Sequence, residues 1–259
     1  MTRTIEYNFS HLFNGIIWNT VVTPEEGILI IEVRNKELKR VTFSALSTGL
    51  GNFLWKDIAF DEPWWISLNA AAKQTAIFTI YLENNNPDKK GIFAYDITAQ
   101  KVMWWNNDFS LVAVNDRFVR GIASKYGVRE LTLELGTGVE TSAEKELLQS
   151  PDGVLRPFQY TEDSSHFITI KTFLSSRFNL LPVSALEYLE YDALIFLSFY
   201  VQEGGLANYL MIISDNGDLL MKEKLDEQLK GIGLDTFFLY GDSVFFVKNK
   251  RELFSYKIV

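Results

Sequence analysis

Apolar runs of four to nine residues, each closed by a polar or glycine-containing break, recur along the chain. Residues 27–33, 42–46, 76–82, 92–95, 118–123, 166–173, 193–201, 209–214, 243–247 and 253–259 are rich in Ile, Val, Phe and Tyr. Runs of this length and composition predict β-strands, and the breaks between them predict hairpin turns. Helical periodicity is scarce. Residues 142–148 and 222–229 have room for one or two turns of helix, and the second segment reads equally well as a strand end and a loop.

A longer period overlies the strands. Ala45-Leu46-Ser47-Thr48-Gly49-Leu50-Gly51-Asn52-Phe53-Leu54-Trp55 returns 49 residues later as Ala94-Tyr95-Asp96-Ile97-Thr98-Ala99-Gln100-Lys101-Val102-Met103-Trp104. In both, a small residue stands ten positions before a tryptophan. Residues 132–138 fit the same frame, with Glu134 where Asp96 stands, and so do residues 211–221, with Met221 in the tryptophan slot. Asn216-Gly217 reads as a tight hairpin turn, because both residues tolerate positive φ. The frame places turns at Gly51, Gln100, Gly138 and Gly217, in steps of 49, 38 and 79. The last step is about two units long, so a degenerate copy is expected between residues 138 and 217.

Breaks near Glu25, Ala72, Asp116, Asp163, Asp192 and Asp242 mark six units averaging about 43 residues, the size of a four-stranded propeller blade. The expected fold is therefore all-β: a single β-propeller over residues 1–259, with six blades favoured and five or seven as alternatives. The chain ends in what reads as the third strand of a blade. Residues 2–9 are expected to supply the fourth, which would close the ring and cover its edges.

The copy at residues 92–104 resembles the blade motif of the quinoprotein-type (PQQ-repeat) propellers, Ala-Leu-Asp-x-x-Thr-Gly-x-x-x-Trp. The resemblance extends to bacterial propeller proteins of unknown function. It covers residues 43–55 and 92–104 well, and residues 132–138 and 211–221 in part. Gln100 departs from the turn glycine, and Ser142 and Met221 depart from the tryptophan. The resemblance implies that Trp55 and Trp104 dock one blade against the next. It does not imply the quinone cofactor: dehydrogenases of that family use larger rings and often a vicinal disulfide. No cofactor is expected.

Composition narrows the chemistry. With no cysteine and only two histidines, His11 and His166, thiolate chemistry and His-rich metal sites are excluded. The first ten residues lack the apolar core of a signal peptide, and the run at 193–201 is too short to span a bilayer. A cytoplasmic monomer is the expectation, or a secreted one if a leader precedes this sequence. The formal charge of −8 argues against a nucleic-acid partner.

Candidate chemistry is sparse. His166 reads as a structural histidine at a strand start, and His11 as a possible site residue beside the first connection. Acids at Glu25-Glu26, Asp61-Glu62, Glu162-Asp163 and Glu187 with Glu190 and Asp192 read as solvated turn carboxylates. Trp64-Trp65 lies in a strand-like stretch, where neighbouring rings point to opposite faces, so one of them can serve as a ligand platform.

Windows 34–40, 83–91, 125–129, 174–178, 201–207 and 247–251, taken as the joints between second and third strands, hold twelve basic residues and four acidic ones. Arg34, Lys36, Arg40, Lys89, Lys90, Arg177, Lys248 and Arg251 are the basic candidates for a partner-binding face. The expected function is a binding or scaffolding protein that recognises a protein or an anionic ligand through one face. The alternative is a hydrolase or oxidoreductase with its site at the mouth of a central channel.

Overall fold

The computed structural model describes residues 3–83, 85–142 and 153–259. They pack as two compact units, Asn14–Gly153 and, from both chain ends, Met1–Phe13 with Val154–Val259. After β1 (Ile5–Leu12) the chain enters the first of these. There β2 (Ile16–Thr23), β3 (Ile28–Asn35), β4 (Arg40–Ser47) and β5 (Phe53–Ile58) form a four-stranded antiparallel meander. A second meander follows in β6 (Ile66–Ala72), β7 (Thr75–Tyr81), β8 (Lys90–Asp96) and β9 (Lys101–Asn106). A third is built from β10 (Ser110–Val114), β11 (Phe118–Ala123) and β12 (Arg129–Glu134). The apolar runs of β3 and β7 are continuous rather than alternating, because both faces of these inner strands are covered.

Two apolar cores join these sheets. Ile30, Phe43, Trp55, Phe78, Phe93 and Tyr95 pack between the first and second. Ile77, Ile92, Phe109, Val119, Leu131 and Leu133 pack between the second and third. The repeated tryptophans do the same work at both joints. Trp55 lies across from Ala45 in its own sheet and donates its indole N–H to the carbonyl of Ile97 at 2.8 Å. Trp104 lies across from Ala94 and donates to the carbonyl of Leu135, also at 2.8 Å. An alanine opposite the ring leaves space for the indole, and the bond satisfies the only polar atom a buried tryptophan carries.

The four turn positions of the repeat all adopt left-handed backbone: φ is 70° at Gly51, 53° at Gln100, 68° at Gly138 and 82° at Gly217. Gln100 keeps the turn without the glycine, helped by Asp96, whose carboxylate accepts the amides of Thr98 and Ala99.

The second unit contains β13 (Val154–Leu155), β14 (Phe158–Thr161), α1 (Ser165–Phe178), β15 (Val183–Tyr191), β16 (Leu194–Gln202), β17 (Leu206–Ser214), β18 (Leu219–Leu229), β19 (Phe237–Tyr240), β20 (Ser243–Lys248) and β21 (Glu252–Ile258). One sheet runs β14-β15-β16-β17-β18 and the other β1-β21-β20-β19-β13. The N-terminal strand thus pairs with the C-terminal one, Ile5 opposite Ile258 and Leu12 opposite Glu252. Met221 is buried with Phe237, Leu239 and Phe246, so the residue in the tryptophan slot again packs toward the following sheet.

Three expectations are corrected. Residues 166–173 form helix rather than strand, and His166 lies in its first turn. Ser164 caps that helix by accepting the His166 amide, and Phe167, Ile170, Phe173, Leu174 and Phe178 face one core at helical spacing. The β-branched content of the segment masked that period. Residues 222–229 are strand throughout, inside β18. Glu187 is no turn carboxylate: it lies in the middle of β15 and is 1% exposed. Of the short helix considered at 142–148, residues 143–148 lie outside the described residues.

The described residues form five sheets. Between residues 138 and 217, where a degenerate copy was expected, the described residues form β13, β14, α1 and the strands β15, β16 and β17.

Candidate binding surface

One end of the first unit gathers aromatic and basic side chains from all three of its sheets. It starts at Arg34, the next-to-last residue of β3. A bulge in β2 between Ile17 and Asn19 turns Trp18 out of the ladder, leaving the residue 59% exposed. The Arg34 guanidinium lies between two tryptophans, 5.2 Å from the Trp18 ring centre and 5.4 Å from that of Trp64. It also donates to the carbonyl of Ile66 at 2.8 Å, to Ser67 Oγ at 2.9 Å and, through Nε, to Glu32 Oε1 at 2.7 Å.

Glu32 is fully buried. Its second oxygen accepts the Leu68 amide at 2.7 Å, tying β3 to the first strand of the next sheet. Burial holds its carboxyl above the usual range, against the pull of that amide and of Arg34. Arg34 is therefore an internal clamp, whose charge is committed to Glu32 and to backbone carbonyls.

The tandem tryptophans sit in the connection from β5 to β6. Glu62 holds this loop, its Oε1 accepting the amides of Trp64 and Trp65 at 2.9 and 2.8 Å. Trp64 turns inward onto Arg34. Trp65 stays 40% exposed, and its ring meets Tyr81 edge-on with centres 6.4 Å apart. Tyr81 pairs across the ladder with Lys90, and the Lys90 carbonyl accepts the amide of Phe109. Beside Phe109, Asp108 accepts the amides of Ser124 and Lys125 at 3.0 and 2.9 Å. That fixes a hairpin tip on which Tyr126 is 87% exposed, with Lys125 over its ring. A cleft of about 300 Å³ opens beside this tip, between Asn106, Asp108, Tyr126 and Arg129.

The sequence candidates divide accordingly. Arg34, Lys36, Arg40, Lys89, Lys90, Trp64 and Trp65 all fall on this end of the first unit. Lys89 pairs with Glu83, whereas the side chains of Lys36, Arg40 and Lys90 have no ion pair among the described residues. His11, Arg177, Lys248 and Arg251 belong to the second unit. There Arg177 pairs with Asp218 at 3.6 Å and Lys248 with Glu223 at 2.8 Å. Arg251 donates to the Phe13 carbonyl, and the His11 ring packs on Phe9.

Trp18, Tyr81 and Tyr126 were not singled out in the sequence. Trp18 and Tyr81 sit in ordinary strand patterns, and only a bulge or a cross-strand partner turns them into surface features. Tyr126-Gly127, an aromatic on a hairpin tip inside a basic window, was the one visible sign.

The second unit has its own buried acid. Glu187 accepts the amides of Asp235 and Thr236 at 2.6 and 3.0 Å and the Thr236 hydroxyl, which in turn reaches Ser198 Oγ at 2.7 Å. The Tyr200 hydroxyl accepts the Gly233 amide at 2.7 Å, and the Gln159 side chain donates to the Gly233 carbonyl. Burial raises the Glu187 carboxyl above its usual range, although the Thr236 and Asp235 donors pull it down. Among the described residues, no group of three or more His, Cys, Asp or Glu could hold a metal ion, and no helix is long and apolar enough to cross a membrane.

A family model described as a domain of unknown function (DUF4905) matches residues 22–104, about a third of the chain. No curated protein matches. Among solved structures, the chain is similar to BamB from Moraxella catarrhalis at 12% identity and a TM-score of 0.37, over 93% of this chain and 85% of that one. It is similar to the beta-propeller domain of the Trilobed protease from Pyrococcus furiosus at 10% identity and a TM-score of 0.36, over 93% of this chain and 65% of the other. A eukaryotic initiation factor aligns at 10% identity and a TM-score of 0.35. The match covers 94% of this chain and 55% of the initiation-factor chain.

Proposed function

We propose that the chain is a single propeller-type binding module, closed by its N-terminal strand, that recognises a partner polypeptide through the aromatic band of its first unit. The observation that carries the reading is the Trp18–Arg34–Trp64 stack. A buried acid, two backbone carbonyls and two rings fix one guanidinium, and that guanidinium fixes an exposed indole. Tryptophan, tyrosine and arginine are the residues that dominate binding energy at protein interfaces, and a ring already held in place loses little entropy on binding. Trp65, Tyr81 and Tyr126 continue the band across the other two sheets, as an extended chain segment would require.

A photo-crosslinking amino acid at Leu38, on the hairpin beside Arg34, tests this in extract from the source organism. One specific adduct is expected, reduced about tenfold or more when Trp18 and Trp65 are both changed to Ala. An adduct unaffected by that double change overturns the reading.

A second reading, an anionic partner, is favoured by Lys36, Lys39 and Arg40, which crowd one hairpin without an ion pair among the described residues. It predicts retention on heparin at low salt that disappears when these three become Glu. Absence of retention at low salt removes it.

A further inference from the structure

β6 begins beside Trp65 and ends beside Lys73, roughly 25 Å away along the strand. At that far end the turns of the first unit enclose a cleft of about 580 Å³ lined by Lys73, Asp116, Arg117, Phe118, Glu134 and Thr137 among others. The volume suits a small molecule.

The charged groups come from three separate turns. Lys73 occupies the β6–β7 turn with left-handed backbone, φ 51°. Asn115 accepts the amides of Arg117 and Phe118 at 2.8 and 2.7 Å, and the Arg117 carbonyl accepts the Leu135 amide at 2.8 Å. Arg117 is thereby anchored at the end of β12, its guanidinium 5.1 Å from the centre of the Phe118 ring. Thr137 donates its hydroxyl to Glu134 Oε2 at 2.9 Å, which orients that carboxylate. Among the described residues, neither Lys73 nor Arg117 forms an ion pair with Asp116 or Glu134, although all four line the same cleft.

Two cations and two carboxylates that share a solvent-filled space without neutralising one another complement a ligand whose own charges are separated. A simple anion entering the cleft meets two carboxylates, and a simple amine meets two cations. A zwitterion answers both pairs. We infer that the cleft binds a free α-amino acid, its carboxylate on Lys73 and Arg117 and its ammonium on Glu134 and Asp116. The Arg117 fork suits a carboxylate, and the partly exposed Phe118 offers apolar surface to the side chain, which favours an aliphatic or aromatic amino acid. The site is independent of the aromatic band.

Calorimetric titration with each of the twenty L-amino acids, and with propionate and propylamine as half-ligands, tests the inference. At least one apolar amino acid is expected to bind with a Kd below about 1 mM, and both half-ligands about tenfold or more weakly. Arg117→Met and Glu134→Gln should each weaken binding about tenfold or more, with unchanged far-UV circular dichroism, and Lys73→Gln with Asp116→Asn provides a second pair. Trp18→Ala should leave the affinity unchanged, so failure here and failure of the partner surface are separable. The inference is overturned if no amino acid binds up to about 10 mM, if propionate binds as well as the amino acid, or if the variants leave binding intact.

Discussion

The indole nitrogen of Trp55 donates to the carbonyl oxygen of Ile97, 42 residues further along the chain and in the following sheet. Trp104 repeats the bond with Leu135, 31 residues on. Both bonds run from the outer strand of one sheet to the residue just past the third strand of the next, so they fix how neighbouring sheets meet. Trp55→Phe keeps most of the apolar volume but leaves the Ile97 carbonyl without its donor. It should lower stability by about 1–3 kcal/mol. Trp55→Ala also opens a cavity and should cost about 3–5 kcal/mol. Urea denaturation of the three proteins checks both values. Equal stability of Trp55→Phe and the parent would remove the bond from the account.

The turn that receives Trp104 depends on a missing side chain. A Cβ at Gly138 would lie 2.5 Å from Trp104 Cδ2, and the backbone there is left-handed. Gly138→Ala should therefore cost at least about 2 kcal/mol. Gln100, at the corresponding turn of the preceding copy, already bears the left-handed strain, worth about 1–2 kcal/mol, and the entropic penalty of glycine is roughly 0.5–1 kcal/mol. Gln100→Gly should stabilise the protein by about 0.5–1 kcal/mol. Melting temperatures of the two variants should move in opposite directions, and a shift of both in the same direction would contradict the shared-turn assignment.

Glu187 gives a pH dependence with a definite sign. Its carboxyl is raised in the folded protein, so its contribution is fully present below the unfolded carboxylate range and is lost as pH rises through the folded value. Glu187→Gln removes that titration and also replaces one of the two oxygens that accept the Asp235 and Thr236 amides with an NH2 donor, at about 1–3 kcal/mol. The parent should thus exceed the variant in stability by more at pH 5 than at pH 7. Denaturation curves at both pH values decide it: a difference that grows toward neutral pH would show that the carboxyl is not raised.

Pairing of β1 with β21 makes Ile5–Leu12 part of a sheet. Removal of residues 1–12 should lower the melting temperature and expose the β21 edge, with aggregation visible by light scattering. A truncated chain that melts at the parent temperature and stays monomeric would show that β1 contributes nothing to stability.

The period-49 repeat was legible because its physical requirements are local. A small residue must face a large ring across one hairpin, and the turn between them must go left-handed; both leave marks within eleven residues. Even Gln100, the residue least suited to its turn, was placed by the frame alone. The helix at α1 was hidden because Ile168, Thr169, Ile170 and Thr172 favour strands, while the contacts that override them come from β15–β17, not from their neighbours in sequence. Glu32 and Glu187 were illegible for a related reason. An acid inside an apolar strand can be judged buried or exposed only when its donors are known, and those lie 36 and 48 residues downstream. The aromatic band fell between these cases: Trp64 and Trp65 announced themselves as a pair, but Arg34 had the look of a surface cation until its four internal partners were in view.

The direction of the tryptophan bonds bears on how such a chain can grow. In the first unit the middle sheet carries both halves of the joint, the donor Trp104 for its successor and the Ile97 carbonyl for its predecessor. Gene duplication of that sheet would therefore copy both halves of the joint together, and the newcomer could be accommodated without inventing an interface. Gain of such a sheet whole would keep its joints paired, while a break inside the copied segment would strand an indole or a carbonyl.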